Sequence, residues 1–365
     1  MSLSIGIVGL PNVGKSTLFK TLTKKEILIA NYPFATIDPN VGVVLVPDQR
    51  VDKLAELSKS KKKIYATVDF VDIAGLVKGA SRGEGLGNKF LSHIREVDAV
   101  LYILRAFKNA DIINTQTEIN PLKEKETLDL ELILKDLETI NKRIDGLEGD
   151  VRSGKKEAIK EMAVLKKAKD FLIQEKVLCQ PRLDVESRRA TGEFTDEEMQ
   201  IFRNYQLLTA KPQLFLFNGK KDEINPEVLE FFQKNNWQYL IIDIATEFEA
   251  EGLSKEERQQ LGLPELSETD ILVKKSYELL NLITFLTTGE DETRAWTIKK
   301  GDTAPVAGAT IHSDFQEKFV KAEVIFWKDL FDAGSYAKAR ELAKIRTEGK
   351  EYIVKDGDVI EFKHG

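Results

Sequence analysis

Residues 9–17 read Gly-Leu-Pro-Asn-Val-Gly-Lys-Ser-Thr and match the pattern G-x-x-x-x-G-K-[ST]. Each residue type in that spacing has work to do at a triphosphate. Gly9 and Gly14 let the backbone approach phosphate oxygens, so that Asn12, Val13, Gly14, Lys15, Ser16 and Thr17 form a cradle. The helix that follows turns its free N–H groups and its dipole toward the anion. Lys15 is the group that reaches the outer phosphates, and the Ser16 hydroxyl is a ligand for the Mg²⁺ that bridges them.

A second half of the same site lies downstream. An apolar run over 68–73 ends in Asp72-Ile73-Ala74-Gly75. A carboxylate there can hold a water on Mg²⁺, and the Gly75 amide can meet the γ-phosphate. Thr36, in Asn31-Tyr32-Pro33-Phe34-Ala35-Thr36, is a candidate second hydroxyl ligand to the metal. Gly79, Gly83, Gly85 and Gly87 make the stretch after Asp72 a loop to be ordered by the γ-phosphate. Many GTPases orient the attacking water with a Gln just after D-x-x-G, but this chain has Leu76, which cannot hydrogen-bond to water.

The base is read elsewhere. Guanine recognition uses N-K-x-D, whereas the apolar run 214–217 here leads into Asn218-Gly219-Lys220-Lys221-Asp222. Lys221 can only donate, and Asp222 stands one residue late. Guanine loses its acceptor, while Asn218, flanked by Gly219 and Lys220, can still pair with adenine N6 and N7. A later loop reads Ala245-Thr246-Glu247 in place of the usual S-A-K. ATP is therefore favoured over GTP.

These groups need a scaffold. Apolar runs at 3–8, 41–46, 64–73, 97–104, 214–217 and 240–244 alternate with amphipathic stretches. That pattern predicts an α/β fold with a mostly parallel sheet. The sheet is interrupted between 121 and 200. Leu130, Ile133, Leu137, Ile140, Ile144 and Leu147 alternate steps of three and four, the seam of a coiled coil or long helix. Ile159, Met162, Leu165, Ala168 and Leu172 mark a second helix after a glycine-containing turn. The first helix is acidic and the second basic, so electrostatic pairing within a hairpin is expected. Thr195 with Glu198 forms a capping box that opens the next helix. From about 278 short alternating segments predict a small α+β domain, with Asp356-Gly357 as a hairpin-turn signal.

The chain as a whole sets limits. It has 365 residues, 42% hydrophobic and 31% charged, enough for two or three domains. A net charge of −6 does not advertise nucleic-acid binding, so any such contact needs a local basic surface. Cys179 is the one cysteine, which excludes an internal disulfide and fits a reducing compartment. Without a basic leader or a run of about 18 apolar residues, a cytoplasmic protein with no membrane contact is expected. His312 and Asp314 make a poor metal pair, and Trp296, Phe315 and Phe319 are better explained by core packing than by base stacking.

The motifs GLPNVGKST, NYPFATIDPN, DIAGLVKGASRGEGLGNKFLSHIREVDA and RAWTIKKGDTAP…IHSDF…AEV…EGKEYIVKDGDVIEF resemble the YchF subfamily of Obg-like P-loop NTPases over nearly the whole chain. The resemblance implies a G domain over 1–120 and 201–277, an α-helical hairpin (coiled coil) inserted over 121–200, and a C-terminal TGS domain of β-grasp type over 278–365. It implies slow ATP hydrolysis, often favoured over GTP, and a ribosome, ribosomal subunit or RNA partner met by the hairpin and TGS domain. A monomer is expected. The family usually carries N-x-x-E, so Lys221 is a departure. Its members also have a His in the loop after the 97–104 strand, proposed to assist hydrolysis; Asn114 occupies that position here and cannot take a proton near neutral pH. His93, Arg82, Arg95 and Arg105 are weaker candidates for roles at the γ-phosphate. Leu76 and Asn114 also leave room for a nucleotide-binding module with negligible hydrolysis. A P-loop kinase would need an arginine-rich lid, which the sequence does not offer.

Overall fold

The computed structural model describes residues 3–23, 40–73, 86–107, 119–179 and 194–365, with backbone alone over 86–90. Its strands are β1 (Ser4–Val8), β2 (Val41–Leu45), β3 (Lys62–Ile64), β4 (Thr67–Asp72), β5 (Ala99–Arg105), β6 (Gln213–Asn218), β7 (Tyr239–Ile242), β8 (Leu282–Thr288), β9 (Glu292–Lys299), β10 (Phe319–Phe326), β11 (Arg346–Glu348) and β12 (Asp358–His364). The first five helices are α1 (Lys15–Thr23), α2 (Gln49–Ser58), α3 (Leu86–Glu96), α4 (Pro121–Arg152) and α5 (Lys156–Ile173).

The first sheet runs β2-β4-β1-β5-β6-β7. The pairs β1–β4, β1–β5, β5–β6 and β6–β7 are all parallel. β5 is buried at every residue, as a central strand covered on both faces must be. Register then decides where the site forms. Ile7 lies opposite Asp72, Val8 opposite Tyr102, Arg105 opposite Asn218, and Asn218 opposite Ile242. The carboxyl ends of these strands share one edge, which is where open α/β sheets bind ligands.

The inserted hairpin forms as expected. Asn120 caps α4 by accepting from the Lys123 amide, Pro121 sits in the first turn, and 32 residues carry the helix about 48 Å. Gly154, at φ 76, lets the chain reverse into α5. Ile133, Ile140 and Leu147 pack with Leu165, Ala168 and Leu172 in one cluster that also takes Phe194 and Phe202. The ion pair across the two helices, Arg143 to Glu161 at 2.8 Å, uses a base from the acidic helix and an acid from the basic one. The capping box at Thr195 and Glu198 is present in both directions.

Two compact units emerge. One holds Leu3–Gly42 and Asp69–Thr269; the other holds Val43–Val68 with Asp270–Gly365. The sequence places 43–68 in the first domain and starts the last one at 278, whereas here 43–68 joins the unit that begins at Asp270. Pairing accounts for the difference. The 64–73 run yields one strand, β4, while β3 ends at its first residue, Ile64, and lies parallel to β9 in a second sheet ordered β11-β10-β12-β8-β9-β3. Lys62 and Lys63 keep this edge strand charged, and Lys63 pairs with Asp52 at 2.8 Å.

Within that second unit β8 and β9 are antiparallel, β10 and β12 are antiparallel, and β12 lies parallel to β8. Phe285, Ile298, Phe319, Val324 and Ile360 form its core, and Trp296 and Phe315 pack against it. Asp356-Gly357 does not join two paired strands as the turn signal predicts. It leads into β12, the Gly357 amide donates to Thr284 O, and the Asp356 carboxylate accepts from the Thr284 amide and from Arg50.

Candidate functional site

The chain leaves β1 at Val8 and folds into the phosphate loop before α1 begins at Lys15. Asn12 takes a left-handed φ of 64 and Gly14 a φ of 104. A Cβ on Gly14 would come within 2.5 Å of the Asn218 amide nitrogen, so the loop and the base strand meet too closely for any side chain there. Lys15 is buried, and its Nζ donates to Gly9 O at 3.0 Å and to Leu10 O at 2.8 Å. Burial lowers the pKa of this amine, against the pull of Asp72 and then Glu124.

Asp72 ends β4 beside the loop. Its Oδ2 accepts from Ser16 Oγ at 3.5 Å, so a hydroxyl and a carboxylate converge. Burial pushes the Asp72 carboxyl up, while Lys15 and the Ser16 hydrogen bond pull it down. Two hard oxygens, completed by phosphate and water, suit Mg²⁺, which rarely uses an all-protein cage. No cluster of three or more His, Cys, Asp or Glu side chains that could hold a metal ion occurs among the described residues.

Asn218, at the end of β6, ties the loop to the base side. Its Nδ2 donates to Val13 O at 2.8 Å and its Oδ1 accepts from the Ile244 amide at 3.1 Å. One amide hydrogen and one lone pair remain, which is what adenine N7 and N6 require. Gly219 has a φ of 149, and a Cβ there would stand 2.7 Å from Phe107 N. Lys220 is exposed and its amide donates to Glu223 at 2.8 Å. Lys221 and Asp222 are exposed in the short turn that follows.

Several candidates fall elsewhere. Thr36, Gly75, Leu76, Arg82 and Asn114 lie outside the described residues. Gly87 belongs to α3. His93 is half-buried on α3. Arg95 donates to Thr139 Oγ1 on α4 at 2.8 Å, so it braces the hairpin. Arg105 is buried, its guanidinium 4.6 Å from the centre of the Phe107 ring. Ala245-Thr246-Glu247, expected as a loop in place of S-A-K, lie instead in a helix over Ile244–Glu249, and Glu247 is buried against Arg258 at 2.6 Å and Ser267 at 2.8 Å, so its carboxylate is spent inside the fold.

Two carboxylates carry no motif and escape a sequence reading. Asp136 of α4 accepts from the Leu208 amide, the Thr209 amide and Thr209 Oγ1 at 2.8, 2.8 and 2.6 Å, rooting the hairpin. Glu124, in the first turn of α4, accepts from the Arg105 amide at 2.8 Å. Burial pushes its carboxyl up to about 7, although the Arg105 amide, Arg105 charge and Lys15 pull down.

Comparison with known proteins finds relatives over nearly the whole chain. Residues 4–136 match a family described as "50S ribosome-binding GTPase", and residues 282–365 match the YchF-GTPase C-terminal family, described as "Protein of unknown function (DUF933)". The ribosome-binding ATPase YchF of Bacillus subtilis is 45% identical over 100% of this chain and 99% of its own length. Obg-like ATPase 1 of Gallus gallus is 41% identical over 99% of this chain and 92% of its own. The solved structure of the Schizosaccharomyces pombe YchF GTPase superposes with a TM-score of 0.84 at 36% identity, covering 99% of this chain and 98% of that one.

Proposed function

The chain belongs to the YchF family and is a P-loop NTP hydrolase, and from that premise we propose that it is a slow, Mg²⁺-dependent ATPase that prefers ATP to GTP and acts as a nucleotide-controlled switch on the ribosome. One observation carries the reading: Lys15, the Ser16–Asp72 pair and Asn218 stand at the carboxyl edge of one parallel sheet, as a phosphate, a metal and a base require.

Each residue has a role in this account. Lys15 and the amides of Asn12 to Thr17 hold the phosphates, and the Gly75 amide meets the γ-phosphate. Ser16, Thr36 and Asp72 would hold Mg²⁺, which neutralises charge on the phosphates when bound. Asn218, with Gly219 and Lys220, faces the base, and Lys221 withdraws the acceptor guanine needs. Leu76 orients no water and Asn114 takes no proton, so turnover is slow.

The same reading divides the chain into a G domain, a hairpin insertion over 121–200 and a TGS domain of β-grasp type from 278. The parallel neighbours β8 and β12, flanked by β9 and β10, support the last assignment. The hairpin and TGS domain meet ribosomal RNA or protein, and the chain works as a cytoplasmic monomer. No helix among the described residues is long and apolar enough to cross a membrane.

Single-turnover hydrolysis of ATP with and without ribosomal subunits tests the proposal. Slow phosphate release accelerated by ribosomes is expected. No hydrolysis and no stimulation, with Lys15 intact, would favour a nucleotide-binding module instead.

A further inference from the structure

We propose that Glu124, in the first turn of the inserted hairpin, is a positioning residue of the nucleotide site. The inference rests on the P-loop NTPase reading above and adds a residue to it.

Strand parity places the carboxylate. The amides of Val100 on β5 and of Ala106 just past its end donate toward β6, to Pro212 O and Asn218 O at 2.9 Å each. Even-numbered amides therefore face β6, and odd-numbered ones face β1. β1 ends at Val8, opposite Tyr102, where the chain turns into the phosphate loop. The Arg105 amide thus points to the side that β1 has vacated. Glu124 Oε2 fills that place at 2.8 Å.

The phosphate loop occupies the same corner. A Cβ on Gly9, the first loop residue, would lie 2.8 Å from Ile103 O, two residues before Arg105. Glu124 and Lys15 feel each other's charge across this corner. Glu124 itself is 4% exposed, far from the solvated state an acidic residue in a first helical turn usually has.

A chain of hydrogen bonds leads onward from it. Beyond Arg105, the Ala106 and Phe107 amides both donate to Asn218 O at 2.9 Å. Asn218 then holds Val13 of the loop and Ile244 of the next helix. A helix outside the sheet therefore fixes the strand end from which the base residue and the phosphate loop are both braced. The three-bond socket of Asp136 anchors the hairpin too, but its partners, Leu208 and Thr209, are not nucleotide residues.

The test compares the full-length protein with Glu124→Ala and Glu124→Gln, using Mg²⁺ with a fluorescent ATP analogue and thermal melting of each protein. Alanine removes the Glu124 acceptor of the Arg105 amide, and about tenfold weaker ATP binding is expected. Glutamine keeps an acceptor, and its affinity should return to within about threefold of the original. In the unaltered protein, hydrogen exchange over 121–128 should slow on addition of ATP, because coupling between two sites is reciprocal. This second measurement stands even if Glu124→Ala does not fold. Unchanged affinity in a folded Glu124→Ala protein, glutamine no better than alanine, or exchange over 121–128 indifferent to ATP would each overturn the proposal. An unaltered protein that binds no ATP would overturn the nucleotide reading itself, and the inference with it.

Discussion

Asn218 Nδ2 donates to the backbone carbonyl of Val13 at 2.8 Å, across 205 residues of sequence. One side chain thereby links the end of β6 to the middle of the phosphate loop, while its Oδ1 holds the Ile244 amide. The residue proposed to read the base is also a structural brace for the phosphate loop.

Asn218→Ala should therefore lose more than base contacts. It leaves a buried carbonyl and a buried amide without partners, a cost of about 2 kcal/mol in stability. Nucleotide affinity should fall at least about tenfold for ATP and for GTP alike, since the loop itself loosens. Urea unfolding and nucleotide titration of the same preparation check both halves.

Asp72→Asn separates phosphate binding from metal use. Lys15 keeps its carbonyl contacts at Gly9 and Leu10, so the nucleotide should still bind. An amide opposite Ser16 is a poor outer partner for Mg²⁺, and the Mg²⁺ concentration for half-maximal hydrolysis should rise about tenfold or more. A titration of Mg²⁺ at saturating ATP measures it; an unchanged midpoint would remove Asp72 from the metal site.

Glu124 gives a pH dependence with a definite sign. Its carboxyl is raised from 4.5 to about 7, so the folded chain holds this proton more tightly than the unfolded one. Its contribution is present below about 4.5 and is lost as pH rises through 7, about 3 kcal/mol in all. Asp136 is pushed up to about 6 and acts in the same direction, but most of its change is complete at lower pH. Urea midpoints between pH 6 and 8 should fall in the unaltered protein and fall less in Glu124→Gln.

The parts of the site legible in sequence are those whose chemistry demands particular backbone. Gly14 must be glycine because Asn218 lies where its Cβ would go, and Lys15 and Ser16 follow from the same loop. The hairpin was equally plain, because a long apolar seam has one economical solution. Other features depend on partners distant in sequence. Periodicity makes 64–73 a single strand, yet nothing local tells Lys62–Ile64 to join β9 while Thr67–Asp72 joins β1. Asp356-Gly357 has hairpin chemistry but serves Thr284 and Arg50. Glu247 looks like an altered base loop until Arg258 is seen against it. Glu124 sits ahead of the apolar seam and belongs to no pattern, so only the strand end it caps reveals it.

The proposed nucleotide site is built for ATP, with Asn218 reading the base and Lys221 denying guanine its acceptor. Equilibrium titration of the full-length protein with ATP and GTP, each with Mg²⁺, tests it most directly. ATP should bind more tightly than GTP. GTP binding at least about tenfold tighter than ATP would contradict the account.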